Sequence, residues 1–247
     1  MEDCMNDKTS LDRPVVICHM GMSLDGKVTG AFLGQPQCAD AINVYYQINR
    51  DYQASAFACG RITMEESFTK AFRPDLTPFA DEVVLPMDYV ADDRATFFAV
   101  AFDRRGRLGW KSGTIEDSDP GYGGAHIIEV LCEGVPQAYL AYLQSVGVSY
   151  IFAGREDEGR MELDLPLALH KLKTIFGIKT LLLEGGSVLN GAFQREDLVD
   201  ELSLVIMPCV AEADDKPLFF DSHSSRFALE DSKLLGSTPW LRYKRTR

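Results

Sequence analysis

Apolar positions along this chain come in two rhythms, short continuous runs and stretches with helical spacing, and the two alternate. Pro14 to Met20 is a short apolar run that stops in a Gly21-Met-Ser-Leu-Asp-Gly26 turn. Ile42, Tyr45, Ile48 and Tyr52 are spaced for one face of a helix, with Asp40 a candidate N-cap. Ala54 to Cys59 reads as a strand that meets Gly60, and Arg61 to Ser67 as a helix or helical turn. Phe97 to Phe102 is another strand, ending at Asp103-Arg-Arg-Gly106. Pro136 opens a helix with Tyr139, Leu140, Leu143 and Val146 inward, and Gly147 closes it. A strand from Val148 to Ala153 follows, then a helix marked by Leu165, Leu169, Leu172 and Phe176 and closed by Gly177. Ile178 to Leu183 reads as a buried strand; Gly185 and Gly186 then turn the chain, and Ser187 can cap a short helix carrying Val188, Leu189, Ala192 and Phe193. Leu202 to Met207 is a further strand, and a last one is expected near Leu241 to Lys244.

This order predicts an α/β fold with a mostly parallel central sheet and helices on its faces. There is no internal repeat and no low-complexity linker, so one domain over residues 14–247 is expected, after an N-terminal tail of residues 1–13. Arg73 to Asp93 and Trp110 to Gly124 are irregular and are expected to be surface loops, a class that is either functional or mobile.

Composition narrows the function. The net charge of −12 argues against nonspecific binding to nucleic acid or to anionic membranes, while leaving room for a small anionic ligand. No apolar run approaches the roughly 20 residues of a membrane span. The segment before Pro14 lacks the apolar core of a signal peptide, so a cytoplasmic location is expected. Six scattered cysteines and four histidines show neither disulfide-framework nor metal-ligand spacing, so no metal is expected.

The chemistry gathers at strand ends. Ser23-Leu-Asp-Gly-Lys27, Gly60-Arg-Ile-Thr63, Asp103-Arg-Arg105 and Glu184-Gly-Gly-Ser187 are each polar or glycine-rich turns at the carboxyl end of an expected strand. Open α/β sheets place their ligands at that edge. Glycines let the backbone approach a ligand, and the N–H groups opening a helix attract phosphate. Four such turns at one edge would form a crevice for a nucleotide-type cofactor, with Glu184 beside it. Each residue also has a plainer reading. Asp25 suits a turn, Glu184 could cap the following helix, and Arg104 and Arg105 could be solvated loop charges.

Met22-Ser-Leu-Asp-Gly-Lys-Val28, Gly60-Arg-Ile-Thr63 and Leu183-Glu-Gly-Gly-Ser-Val-Leu-Asn190 with Leu198-Val-Asp-Glu-Leu202 resemble the pyrimidine reductase domain of riboflavin biosynthesis. The likeness runs from about Pro14 to Phe220. It implies the dihydrofolate-reductase-like fold and an NADPH-dependent reduction that opens the ribosyl group of a pyrimidine ribosylamine 5′-phosphate to a ribityl chain. It implies that Met22, Gly60, Thr63, Ser67, Asp103, Arg104, Arg105, Gly185, Gly186, Ser187 and Val188 contact the cofactor, with either arginine able to pair with a 2′-phosphate. His19, Ser23, Asp25 and Glu184 would face the substrate, with Asp25 and Glu184 the candidate proton donors. A homodimer is also implied, with weak independent support in apolar stretches read as C-terminal strands, Leu202 to Met207 and Leu218 to Phe220.

Two departures matter. Many bacterial members carry a lysine where this chain has His19, and Gly60-Arg-Ile-Thr63 looks closer to the turn of dihydrofolate reductases than to the usual Gly-x-Gly-Thr. A same-fold reductase of another pterin, pyrimidine or carbonyl compound, and a nucleotide-binding module without catalysis, are the alternatives.

Overall fold

The computed structural model describes residues 12–157 and 160–246. The apolar run after Arg13 becomes β1 (Val15–Met22), whose side chains are buried on both faces after Val15. The same holds for β2 (Ala56–Gly60), β3 (Phe98–Phe102), β4 (His126–Leu131), β5 (Ser149–Phe152) and β8 (Thr180–Leu183). Continuous rather than alternating apolar sequence is what a parallel sheet covered on both sides requires. With β9 (Glu201–Ile206), β10 (Phe227–Leu235) and β11 (Thr238–Arg245) these strands form a nine-stranded sheet in the order β10-β11-β9-β1-β8-β2-β3-β4-β5. From β9 to β5 neighbours run parallel, while β11 reverses against β9 and β10 against β11. A small hairpin, β6 (Gly154–Asp157) and β7 (Arg160–Leu163), stands apart from it.

Side chains on successive strand residues feed two cores. Val16, Cys18, Ala58, Val100 and Val130 pack on one face under α4 (Leu165–Phe176) and α5 (Ser187–Arg195). Ile17, Phe57, Ala99 and Ile127 pack on the other with α3 (Gln137–Ser145) and with Met64 of α2 (Arg61–Met64). On that second face α1 (Ala39–Tyr52) covers β1 and β9, with Ala41 and Ile48 against Val205 and Met207. The mostly parallel α/β sheet with helices on both faces is therefore as expected.

Several local readings are corrected. Helix α1 begins at Ala39 with Cys38 as its cap residue, so Asp40 lies in the first turn, where its charge still suits the dipole. Gly186, not Ser187, caps α5, because the Ser187 hydroxyl donates instead to the Pro217 carbonyl. Leu218 to Phe220 is not a strand but a loop lying on α5, where Asn190 donates to the Leu218 carbonyl at 3.3 Å. The segment Trp110 to Gly124 is irregular and partly exposed, as expected, but it is also anchored, with Trp110, Ile115 and Tyr122 buried in the second core. Arg13, placed in the expected tail, is fixed by a two-pronged ion pair to Asp200 at 2.7 and 2.8 Å.

Candidate active site

Strands β1, β8, β2 and β3 are adjacent and parallel, so the four polar turns that follow them stand side by side along one carboxyl edge. The centre of the row is tied by backbone. The Glu184 N–H donates to the Ala58 carbonyl at 2.9 Å, and the Gly60 N–H to the Gly185 carbonyl at 2.7 Å. The Gly185–Gly186 peptide is cis. A Cβ at Gly186 would stand 3.3 Å from the Thr63 hydroxyl oxygen, and one at Gly185 would stand 3.3 Å from the Met20 methyl. Gly60, Thr63, Gly185 and Gly186 thus form one cradle, tight around Gly185 and Gly186 and with Gly185 in the left-handed region at φ +97, at the start of α5, where helix N–H groups favour an anion.

At the β3 end, Asp103 is buried and its carboxylate accepts from the Arg107 N–H and, at 2.8 Å, from the Leu108 N–H. Its Oδ2 is held by the turn's own backbone, so the carboxylate shapes the turn at the expected cofactor position. The same turn leaves Arg104, Arg105 and Arg107 exposed and without ion pairs among the described residues. Met22 is half-buried at the end of β1, Ser67 is exposed on the turn of residues 65–69, and Val188 is exposed on α5. Ser187 is buried, its hydroxyl spent on Pro217, so its backbone alone could meet a cofactor.

The substrate-side assignments divide sharply. Ser23 is buried and donates to the Asp25 carboxylate at 2.6 Å, while the Ala211 N–H donates to the same oxygen at 3.0 Å. These bonds, the Ser23 one first, lower the Asp25 pKa. Asp25 is thereby an exposed, ionised turn clasp, which argues against its role as a proton donor. His19 is fully buried and stacked on Tyr45, with ring centroids 4.4 Å apart. Its Nε2 lies 3.1 Å from the Tyr45 carbonyl, which can only accept, so the hydrogen sits on Nε2. Its Nδ1 then accepts from the Ser203 hydroxyl at 3.0 Å, and that hydroxyl accepts from the Trp240 indole at 2.9 Å. Burial lowers the imidazole to about 4, keeping it neutral. Both nitrogens are committed within the protein, so the expected substrate contact by His19 has no free atom to make it.

Glu184 differs from both. It is buried just past the end of β8, on the face covered by α1. Asn49 of α1 donates to its Oε1 at 2.7 Å, and the Tyr122 hydroxyl lies 3.0 Å from its Oε2. Burial raises its carboxyl to about 7, against the opposing effect of the Asn49, Tyr122 and Tyr45 hydrogen bonds. A carboxyl poised there can give or take a proton near neutral pH. A cavity of about 450 Å³ opens on the amino side of this cluster, between Asn49 and Arg50 of α1, Phe57, Leu182 and the Pro120–Gly121 turn. Asn49 and Tyr122 were not singled out from sequence. The only signal for Tyr122 was its place among the glycines of an irregular segment.

Residues 125–238 match the model of the RibD C-terminal domain. Among solved structures, RibD of Acinetobacter baumannii superposes with a TM-score of 0.63 at 21% identity over 95% of this chain. This chain spans only 58% of the length of that RibD. A pyrimidine reductase-like protein of Corynebacterium diphtheriae gives a TM-score of 0.64 at 20% identity, covering 95% of this chain and 92% of its own. A riboflavin biosynthesis reductase of Saccharomyces cerevisiae gives 0.58 at 15%, covering 95% and 90%. At these identities the likeness establishes the fold, the one expected for the pyrimidine reductase domain.

Proposed function

We infer, for a chain whose residues 125–238 match the RibD C-terminal domain model, an NADPH-dependent reductase of the riboflavin-pathway type. The observation that carries this reading is the row of four turns at one carboxyl edge with Glu184 at its centre. The residues present suit a dinucleotide. The Gly60, Thr63, Gly185 and Gly186 cradle would take the pyrophosphate, and Arg104 and Arg105 a 2′-phosphate. When bound, the cofactor would supply the hydride to an imine or aldehyde carbon of the substrate. Glu184 would give the proton to the nitrogen or oxygen as its negative charge develops, and Asn49 and Tyr122 would stabilise the carboxylate left behind. The substrate in this reading is a pyrimidine ribosylamine 5′-phosphate and the enzyme a homodimer, as the resemblance implies.

A second reading keeps the fold and cofactor and changes the substrate to another pterin, pyrimidine or carbonyl compound. The burial of His19, where many relatives carry lysine, favours it.

The test is a titration with NADPH and with NADH, followed by nicotinamide fluorescence. NADPH is expected to bind more tightly. Replacing Arg104 and Arg105 together by alanine should weaken NADPH about ten- to a hundredfold and leave NADH unchanged, as loss of charge-assisted bonds to one phosphate requires. No binding of either nucleotide ends both readings.

A further inference from the structure

The segment of residues 117–124 carries Tyr122 across 62 residues of sequence to Glu184. The segment is built to hold that position. The Asp119 N–H donates to the Asp117 carboxylate and the Gly121 N–H to the Asp119 carboxylate, both at 2.8 Å, so two Asx turns follow one another. Asp119 is also ion-paired to Arg50 of α1 at 2.6 Å, which fastens the segment to the helix that supplies Asn49. The Tyr122 ring packs edge-on against Phe57 at 5.0 Å and stands 5.9 Å from Phe68. The hydroxyl is therefore aimed at Glu184 by packing from two sides and by an anchored backbone.

We propose that Tyr122 is a positioning residue for the reduction, its hydroxyl holding Oε2 of Glu184 while Asn49 holds Oε1. This rests on the reading of Glu184 as the acid. An amide N–H can only donate, so Oε1 is an acceptor in every state and the acid hydrogen belongs on Oε2. A hydroxyl both accepts and donates, so Tyr122 fits Oε2 with its hydrogen present or gone. When hydride adds to the substrate carbon, the electron pair of the C=N or C=O bond moves to the heteroatom. The Oε2–H bond then breaks and a heteroatom–H bond forms. The carboxylate that remains keeps the bond donated by Asn49 at Oε1 and receives the Tyr122 hydroxyl's hydrogen at Oε2.

The groups facing Glu184 are Cys18 of β1, Cys59 of β2, Tyr45 and Tyr46 of α1, and Asp119 and Tyr122 of the segment. Burial, with the Glu184 charge adding to it, pushes both thiols and all three tyrosine hydroxyls above their ordinary values. None of those five changes charge near neutrality, and Asp119 is paired with Arg50.

Tyr122→Phe keeps the ring and removes the hydroxyl. In protein labelled with ¹³C at the glutamate carboxyl, and with Glu184→Gln to assign the resonance, the Glu184 midpoint should rise in Tyr122→Phe by about half a pH unit or more, since a donor to the ionised form is lost. Asn49→Ala, acting at the other oxygen, should move the same midpoint in the same direction. The limb of kcat/KM that falls as pH rises should shift with the carboxyl. An unmoved carboxyl, or activity scaled down equally at every pH, overturns the proposal, because a purely structural role gives that result. A carboxyl that moves in a chain that binds NADPH but reduces no candidate substrate supports the placement of Tyr122 and ends the reductase reading.

Discussion

Two glutamates lie buried on the same face of the sheet and behave differently. Glu129 sits in the middle of β4, where its Oε1 accepts from the Trp110 indole. The Tyr139 hydroxyl stands 3.4 Å from the same oxygen but gives its hydrogen to the Leu108 carbonyl at 2.8 Å. Oε2 has no partner. Burial, with the Asp103 charge adding to it, pushes Glu129 well above the carboxylate range. Glu184 lies just past a strand end, where α1 and the segment of residues 117–124 each reach one oxygen, and burial raises it only to about 7. A mid-strand carboxyl is walled in by its own sheet, and burial makes it hold its proton more tightly than a free carboxyl. A carboxyl at the strand end can be met by separate elements, and it is poised where a proton can be exchanged.

The largest expected effect separates the two by activity. Glu184→Gln should lower kcat about a hundredfold to ten-thousandfold, the usual weight of a general acid, and leave NADPH affinity unchanged. Glu129→Gln should leave kcat within about twofold, since Glu129 sits within β4 rather than in the turns past the strand ends. A comparable loss in both would erase the distinction.

Stability should divide them the other way. Glu129→Ala leaves the Trp110 indole without its acceptor and opens a void, and should cost about 2–4 kcal/mol in urea unfolding. Glu129→Gln keeps an acceptor for the indole and should stay within about 1 kcal/mol at low pH.

The finest test is the pH dependence of these differences. The folded chain holds each proton more tightly than the unfolded chain, whose value is near 4.5. Each contribution is therefore complete below that pH and is lost as pH rises to the folded value. The stability of wild type relative to Glu184→Gln should fall by about 1.4 kcal/mol per pH unit at most and level off near pH 7. Relative to Glu129→Gln it should also fall as pH rises from about 4.5, because burial raises that carboxyl too. A difference that grows with pH in either variant would contradict the comparison.

Strand β4 escaped the sequence reading because Glu129 interrupts an otherwise apolar run, and β10 because the polar run Glu230-Asp-Ser-Lys233 breaks Phe227–Leu235 in the middle, as suits an exposed edge strand. The hairpin of β10 and β11 also carries a register shift between Leu229 and Asp231, which blurs any alternation.

What the sequence determined was local. Continuous apolar runs dictated buried parallel strands, helical spacing dictated their crossovers, and glycine-rich turns after β1, β2, β3 and β8 marked one edge as the ligand edge. Those signals are periodicity and turn chemistry, which neighbours in sequence settle between themselves. Tertiary structure decided which side chains there are usable. It sealed His19 between Tyr45 and Ser203, turned Asp25 outward and spent Ser187 on Pro217. It also brought Asn49 from 135 residues away and Tyr122 from 62 to the carboxyl of Glu184. Such pairings follow from strand register and from the path of a connecting segment across a finished sheet, and no window of sequence contains both partners.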